Sequence, residues 1–145
     1  MNQGLKPLDI LREPVVRAAL AEAWKESNAG LAGGHEEGDF VTLESEDKLS
    51  VRPWLMGAGN RIEVPAHAGC VVDGQPIIAT FHTHPNTGPD YLQEPSDTDR
   101  RGVRDDADLK GSLYVGEFVI ADEMIYLVTT GGSVRELDRR IDLLG

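Results

Sequence analysis

The stretch that most constrains this chain is Ile77-Ile78-Ala79-Thr80-Phe81-His82-Thr83-His84, entered through the turn Asp73-Gly74 and closed by Pro85. An apolar, β-favouring run bounded by turn residues predicts a strand over 77–84. A strand repeats every two residues, so His82 and His84 present their imidazoles on one face at its end. Beyond the connection that follows Pro85, Pro95-Ser96-Asp97-Thr98-Asp99 reads as a helix start, with Ser96 at the N-cap and Asp99 on the first turn. From there the Asp99 carboxylate can reach back to the histidines.

Two imidazoles and a carboxylate form a three-ligand site for a divalent metal, with a fourth position left for water. Three N/O donors suit zinc better than magnesium or calcium, which prefer all-oxygen shells. A structural zinc would be closed by a fourth protein ligand. The expected cofactor is therefore one Zn2+ per chain on His82, His84 and Asp99, with a base still to be supplied. Each residue also has a plainer reading. Paired strand histidines are often surface or hydrogen-bonded core, Ser96 is an N-cap, and Asp99 is a first-turn carboxylate favoured by the helix dipole.

Together these pieces resemble the JAMM (also MPN+ or JAB) metalloprotease family, whose signature is an upstream glutamate, then His-x-His-Pro, then Ser-x-x-Asp. Here they are His82-Thr83-His84-Pro85 and Ser96-Asp97-Thr98-Asp99, with Glu36 or Glu37 as the glutamate. The resemblance implies that His82, His84 and Asp99 bind zinc, that the glutamate is the general base, and that Ser96 helps hold the oxyanion. Glu36 fits the family's register better than Glu37, with Asp39 where a glycine is common. The connection from Pro85 to Ser96 is longer than is usual in the family. The resemblance covers residues 14–130 and implies an α/β, layered α+β domain, similar to the cytidine-deaminase architecture, with a mixed central sheet flanked by helices.

The same resemblance implies an isopeptidase or peptidase that removes or processes a ubiquitin-like protein, with that protein and its conjugates as partners. The compact chain resembles stand-alone bacterial members that accompany E1- and E2-like enzymes in antiphage conjugation systems. Two other classes stand beside it. One is a non-catalytic scaffold of the same fold, whose members usually lack a metal residue. The other is a small-molecule zinc hydrolase or deaminase, against which the Pro-Cys-x-x-Cys half of the deaminase signature is absent. His35-Glu36-Glu37-Gly38-Asp39 nearly spells His-Glu-x-x-His, but that motif needs a helix, which Gly33, Gly34 and Gly38 oppose.

A length of 145 residues suits one domain, placed at 14–145 after a 1–13 lead-in or apolar arm. A net charge of −11 argues against non-specific nucleic-acid binding. The dense cationic run Arg100-Arg101-Gly102-Val103-Arg104 reads as a solvated helix face balanced by Asp105, Asp106 and Asp108, or as a patch that steers an acidic partner. Cys70 is the single cysteine, which excludes an intrachain disulfide and predicts a buried hydrophobe in a reducing compartment. No run reaches signal-peptide or membrane-span length, so the expectation is a cytoplasmic protein with no membrane partner.

The remaining pattern predicts a helix from Pro14 to about Ala29 stopped by Gly30, a strand over 39–44, and strands over 48–57 and 61–66 with Trp54, Leu55 and Met56 in the core. His67 is expected in a surface loop without a metal role. Residues 86–94, with Tyr91-Leu92, form a loop overhanging the metal. A helix over 97–109, strands over 116–121 and 124–129, and a C-terminal helix opened by the capping box Ser133-Val134-Arg135-Glu136 complete the expectation.

Overall fold

The computed structural model describes residues 5–29, 33–59, 61–89 and 91–144. The run that opens the sequence reading becomes β4 (Gln75–Thr83), buried from Ile77 onward. Around it lie β1 (Gly38–Ser45), β2 (Lys48–Pro53), β3 (Val71–Val72), β5 (Glu117–Ile120), β6 (Met124–Val128) and β7 (Val134–Arg139). They form one seven-stranded sheet in the order β2-β1-β4-β5-β6-β7, with β3 paired to the start of β4. The β4–β5 pair is parallel and the other pairs are antiparallel, so the sheet is mixed. The turn before β4 is tight, with Asp73 and Gly74 at φ 52° and 77°, the left-handed pair of a type I′ hairpin.

Strand alternation divides the side chains between two faces. Val41, Ala79, Phe81, Phe118, Ile120, Ile125 and Leu127 face a layer made of α1 (Pro7–Arg12), α2 (Pro14–Glu26) and the short α4 (Arg140–Leu144), which contribute Ile10, Leu11, Val16, Leu20 and Leu143. Phe40, Val119 and Val128 point the other way, into a second core with Trp54, Tyr114, Leu109 and Val103 of α3 (Asp97–Arg104). The result is a mixed α/β domain whose sheet is flanked by helices. His82 lies on the α3 face, because the register pairs it with Gly38 of β1 and Val119 of β5.

Helix α1 docks the described part of the N-terminal arm on the body, since Ile10 and Leu11 are fully buried in the core cluster of the sheet. The second helix starts at Pro14 as the sequence predicts and ends at Glu26. Gly30, its expected stop, lies outside the described residues. Among the described residues no helix is long and apolar enough to cross a membrane.

Several expectations are corrected. Residues 61–66 form no strand, and β2 ends at Pro53, with no helix or strand at 54–59 or 61–67. Proline offers no ladder N–H. The chain turns inward there only at Trp54, leaving Leu55 and Met56 exposed (86% and 69%) instead of in the core. Residues 134–139 form β7, not a helix. A tight return between Thr129 and Ser133, with Gly132 at φ 86°, folds them back along the open edge of β6. Helix α3 stops at Arg104, and only a single 3-10 turn follows at Ala107–Leu109.

Gly38 is sterically required. A Cβ there would lie 2.1 Å from Trp54 Cε3 and 2.9 Å from the Phe81 carbonyl. Gly38→Ala is expected to lower stability by about 1–3 kcal/mol, the usual cost of overpacking, measured by chemical denaturation. An unchanged midpoint would show that Trp54 does not pack there.

Candidate metal centre

The centre forms where β4 ends against the first turn of α3. His82 and His84 are nearly buried, and their Nε2 atoms stand 3.2 Å apart. Asp99 completes the cluster, with Oδ1 3.4 Å from His82 Nε2 and Oδ2 3.2 Å from His84 Nε2. Ser96 caps α3 in a reciprocal box. Its Oγ accepts from the Asp99 amide at 3.0 Å, and its own amide donates to Asp99 Oδ2 at 2.8 Å. The cap fixes the Asp99 rotamer, and the strand fixes the imidazoles.

The outer nitrogens show why a cation suits this geometry. His84 Nδ1 donates to the Gln93 carbonyl at 3.1 Å. His82 Nδ1 is in contact with Glu117 Oε2, as an ion pair without hydrogen-bond alignment. Each Nδ1 faces an acceptor, so a ring that gives up its other proton to a metal keeps the remaining one there and turns its Nε2 lone pair toward Asp99. Lone pairs this close repel unless positive charge lies among them. Donors 2.0–2.1 Å from a tetrahedral zinc would be about 3.3 Å from one another, close to the separations found. Burial lowers the His82 pKa, but the Glu117 and Asp99 carboxylates outweigh it and hold the imidazole well above its ordinary value. Burial likewise raises Asp99, yet hydrogen bonds and charge from His82 and His84 dominate and leave its carboxyl far below the carboxylate range. His82, His84 and Asp99 can therefore hold a metal ion.

The two candidate glutamates separate cleanly. Glu36 is buried and lines a small cavity together with His84, Asn86, Tyr91, Ser96 and Asp99. It also borders a larger groove with His82, Ile62, Val64 and Gly102. Burial raises its pKa, partly offset by His82 and His84. Glu37 instead pairs with His35 Nε2 at 2.7 Å. The extended backbone of β1's approach thus sends the two side chains in different directions. Residues 35–39 are not helical, which removes the His-Glu-x-x-His reading.

Two polar residues that carry no signal in the sequence support the site. Asn86, nearly buried, accepts from the Gly34 amide at 2.6 Å and donates to the Gly34 and Gly59 carbonyls, both at 3.0 Å. It ties the loop after the histidines to the segment that delivers Glu36, whose backbone is paired with Ala58 and Gly57. Glu117 is the other, and no local signal in Gly116-Glu117-Phe118 marks it. Loop residues Tyr91 and Leu92 reach the cavity wall as predicted.

His67 lies in a loop as expected but is part-buried, its side chain 12% exposed. Its Nδ1 bonds the Pro65 carbonyl at 2.6 Å and its Nε2 the Asp106 carboxylate at 2.7 Å, so the ring clasps its loop to the turn after α3. Cys70 is buried. In the cationic run, Arg100 donates to the Gly132 carbonyl at 2.8 Å and Arg104 pairs with Asp105, which ties these side chains to neighbouring turns. No family model, curated protein or solved structure matches the chain.

Proposed function

We propose that this protein is a zinc-dependent isopeptidase or peptidase of the JAMM type, with the corresponding fold, acting on a ubiquitin-like protein or its conjugates. One observation carries the reading. The His82-His84-Asp99 cluster, Glu36 and Ser96 border two cavities that share Glu36, Ser96 and Asp99 in their walls, although they come from three separate elements. His82, His84 and Asp99 would hold the zinc, which would supply Lewis-acid activation of a water and of the scissile carbonyl. Glu36 lies within the same buried space, and its raised pKa suits a group that takes a proton from the attacking water and returns it to the leaving nitrogen. The Ser96 oxygen already accepts the Asp99 amide, so its own O–H remains available to donate to the developing oxyanion.

The lining of the groove supports a macromolecular substrate. Exposed Leu55, Met56 and Val64 lie beside it, and Leu92 lines the small cavity. Such a border suits an extended polypeptide tail better than a small amide. Partnership with E1- and E2-like enzymes and a cytoplasmic setting belong to the same proposal.

The test is cleavage of a ubiquitin-like fusion by the zinc-loaded protein, alongside a small acyl-amide. Turnover of the fusion that stops with chelator is expected. Turnover of the small amide alone would select the small-molecule hydrolase, and zinc binding with neither activity would select the scaffold.

A further inference from the structure

Every residue of β5 is buried, yet this strand carries a carboxylate among Phe118, Val119 and Ile120. A carboxylate in such a place is costly unless it is paired, and Glu117 is paired on both oxygens. The parallel register sets Glu117 opposite Thr80, two residues before His82 on the same face. This brings Oε2 into contact with His82 Nδ1. Its Oε1 accepts from the Thr80 hydroxyl at 2.9 Å, and the Thr80 oxygen lies 2.7 Å from the Tyr114 hydroxyl. Thr80 and Tyr114 are themselves buried. With Thr80 donating to Glu117, the Tyr114 O–H must donate to Thr80. The hydroxyls therefore point in series toward Glu117, and none competes for His82.

We propose that Glu117 is a positioning residue for the metal. It holds the proton of His82 on Nδ1, fixes the ring so that Nε2 faces Asp99 and His84, and adds negative charge behind the ligand, which raises the basicity of Nε2. The proposal rests on the reading of His82, His84 and Asp99 as a zinc site but not on any substrate. Glu117→Gln separates charge from shape, because a glutamine can accept from Nδ1 through Oε1 and meet the Thr80 hydroxyl with its amide.

The experiment is a competition titration with a zinc-binding dye on wild type, Glu117→Gln and Thr80→Val, together with visible spectra of the Co2+-loaded proteins and melting of the metal-free forms. Glu117→Gln is expected to raise the zinc Kd by about 10–100-fold and to shift the Co2+ bands while the metal-free fold is kept. Thr80→Val, which loosens Glu117 without removing its charge, is expected to give a smaller rise. A Kd within twofold of wild type and an unchanged Co2+ spectrum in Glu117→Gln would overturn the proposal. If that variant fails to fold, an unchanged Kd in Thr80→Val overturns it instead. Wild type that binds no zinc would remove the site reading itself, a result distinct from either.

Discussion

Replacing Glu36 with glutamine is expected to keep about one zinc per chain and to lower the hydrolytic rate by roughly 10²–10⁴-fold, the usual contribution of a general acid–base group. The substitution preserves side-chain size and hydrogen bonding but removes the group that can carry the proton. Zinc should remain because Glu36 borders the cluster without belonging to it. Glu37→Gln is the matched control. Its carboxylate pairs with His35 outside the cleft, and its loss should leave the rate within a few-fold of wild type. Steady-state kinetics on the fusion substrate, with metal analysis of the same samples, reads both. A fully active Glu36→Gln beside an inactive Glu37→Gln would move the base to Glu37.

The second large effect concerns stability. Asp39 lies on the helix-facing side of β1, opposite Phe81, and is 7% exposed. Burial, with a smaller contribution from the Glu37 charge, pushes its carboxyl from 3.8 up to about 7. The native state therefore keeps a proton that the unfolded chain gives up near pH 4. Stability falls as the pH rises from about 4 to about 7 and levels off above that. Asparagine cannot ionise. At pH 8 Asp39→Asn is expected to be more stable than wild type by on the order of 1–4 kcal/mol, and at pH 4 the difference should vanish. Urea denaturation at several pH values, in excess chelator to suppress metal linkage, measures it. An advantage that does not grow with pH would show that Asp39 titrates normally.

What could be read ahead of the structure was what local chemistry determines. The period of two placed His82 and His84 together, and the serine-to-aspartate spacing gave a cap that aims Asp99. These relations hold within one turn or one strand end, so residue order suffices. The sheet centre was visible in the apolar run of β4 for the same reason. What escaped depends on distant pairing. Glu117 matters only because the parallel register of β4 and β5 sets it beside His82, and Asn86 only because it bridges Gly34 and Gly59.

The strand at 134–139 escaped for a related reason. Ser133-Val134-Arg135-Glu136 carries a helix-start signal, but the turn through Gly132 returns it to an unpaired edge, where ladder hydrogen bonds outweigh a local cap. Leu55 and Met56 misled by composition, since apolar residues next to an inserted tryptophan read as core. Their exposure beside the groove fits the surface a polypeptide would cover.

Elemental analysis of the purified protein, alongside His82→Ala and Asp99→Ala, decides whether β4 and α3 build a zinc site. About one zinc per chain in wild type, lost in both variants while their circular dichroism stays native, is the predicted result. No bound metal in wild type after zinc loading and desalting, or full zinc retained by His82→Ala, would contradict it.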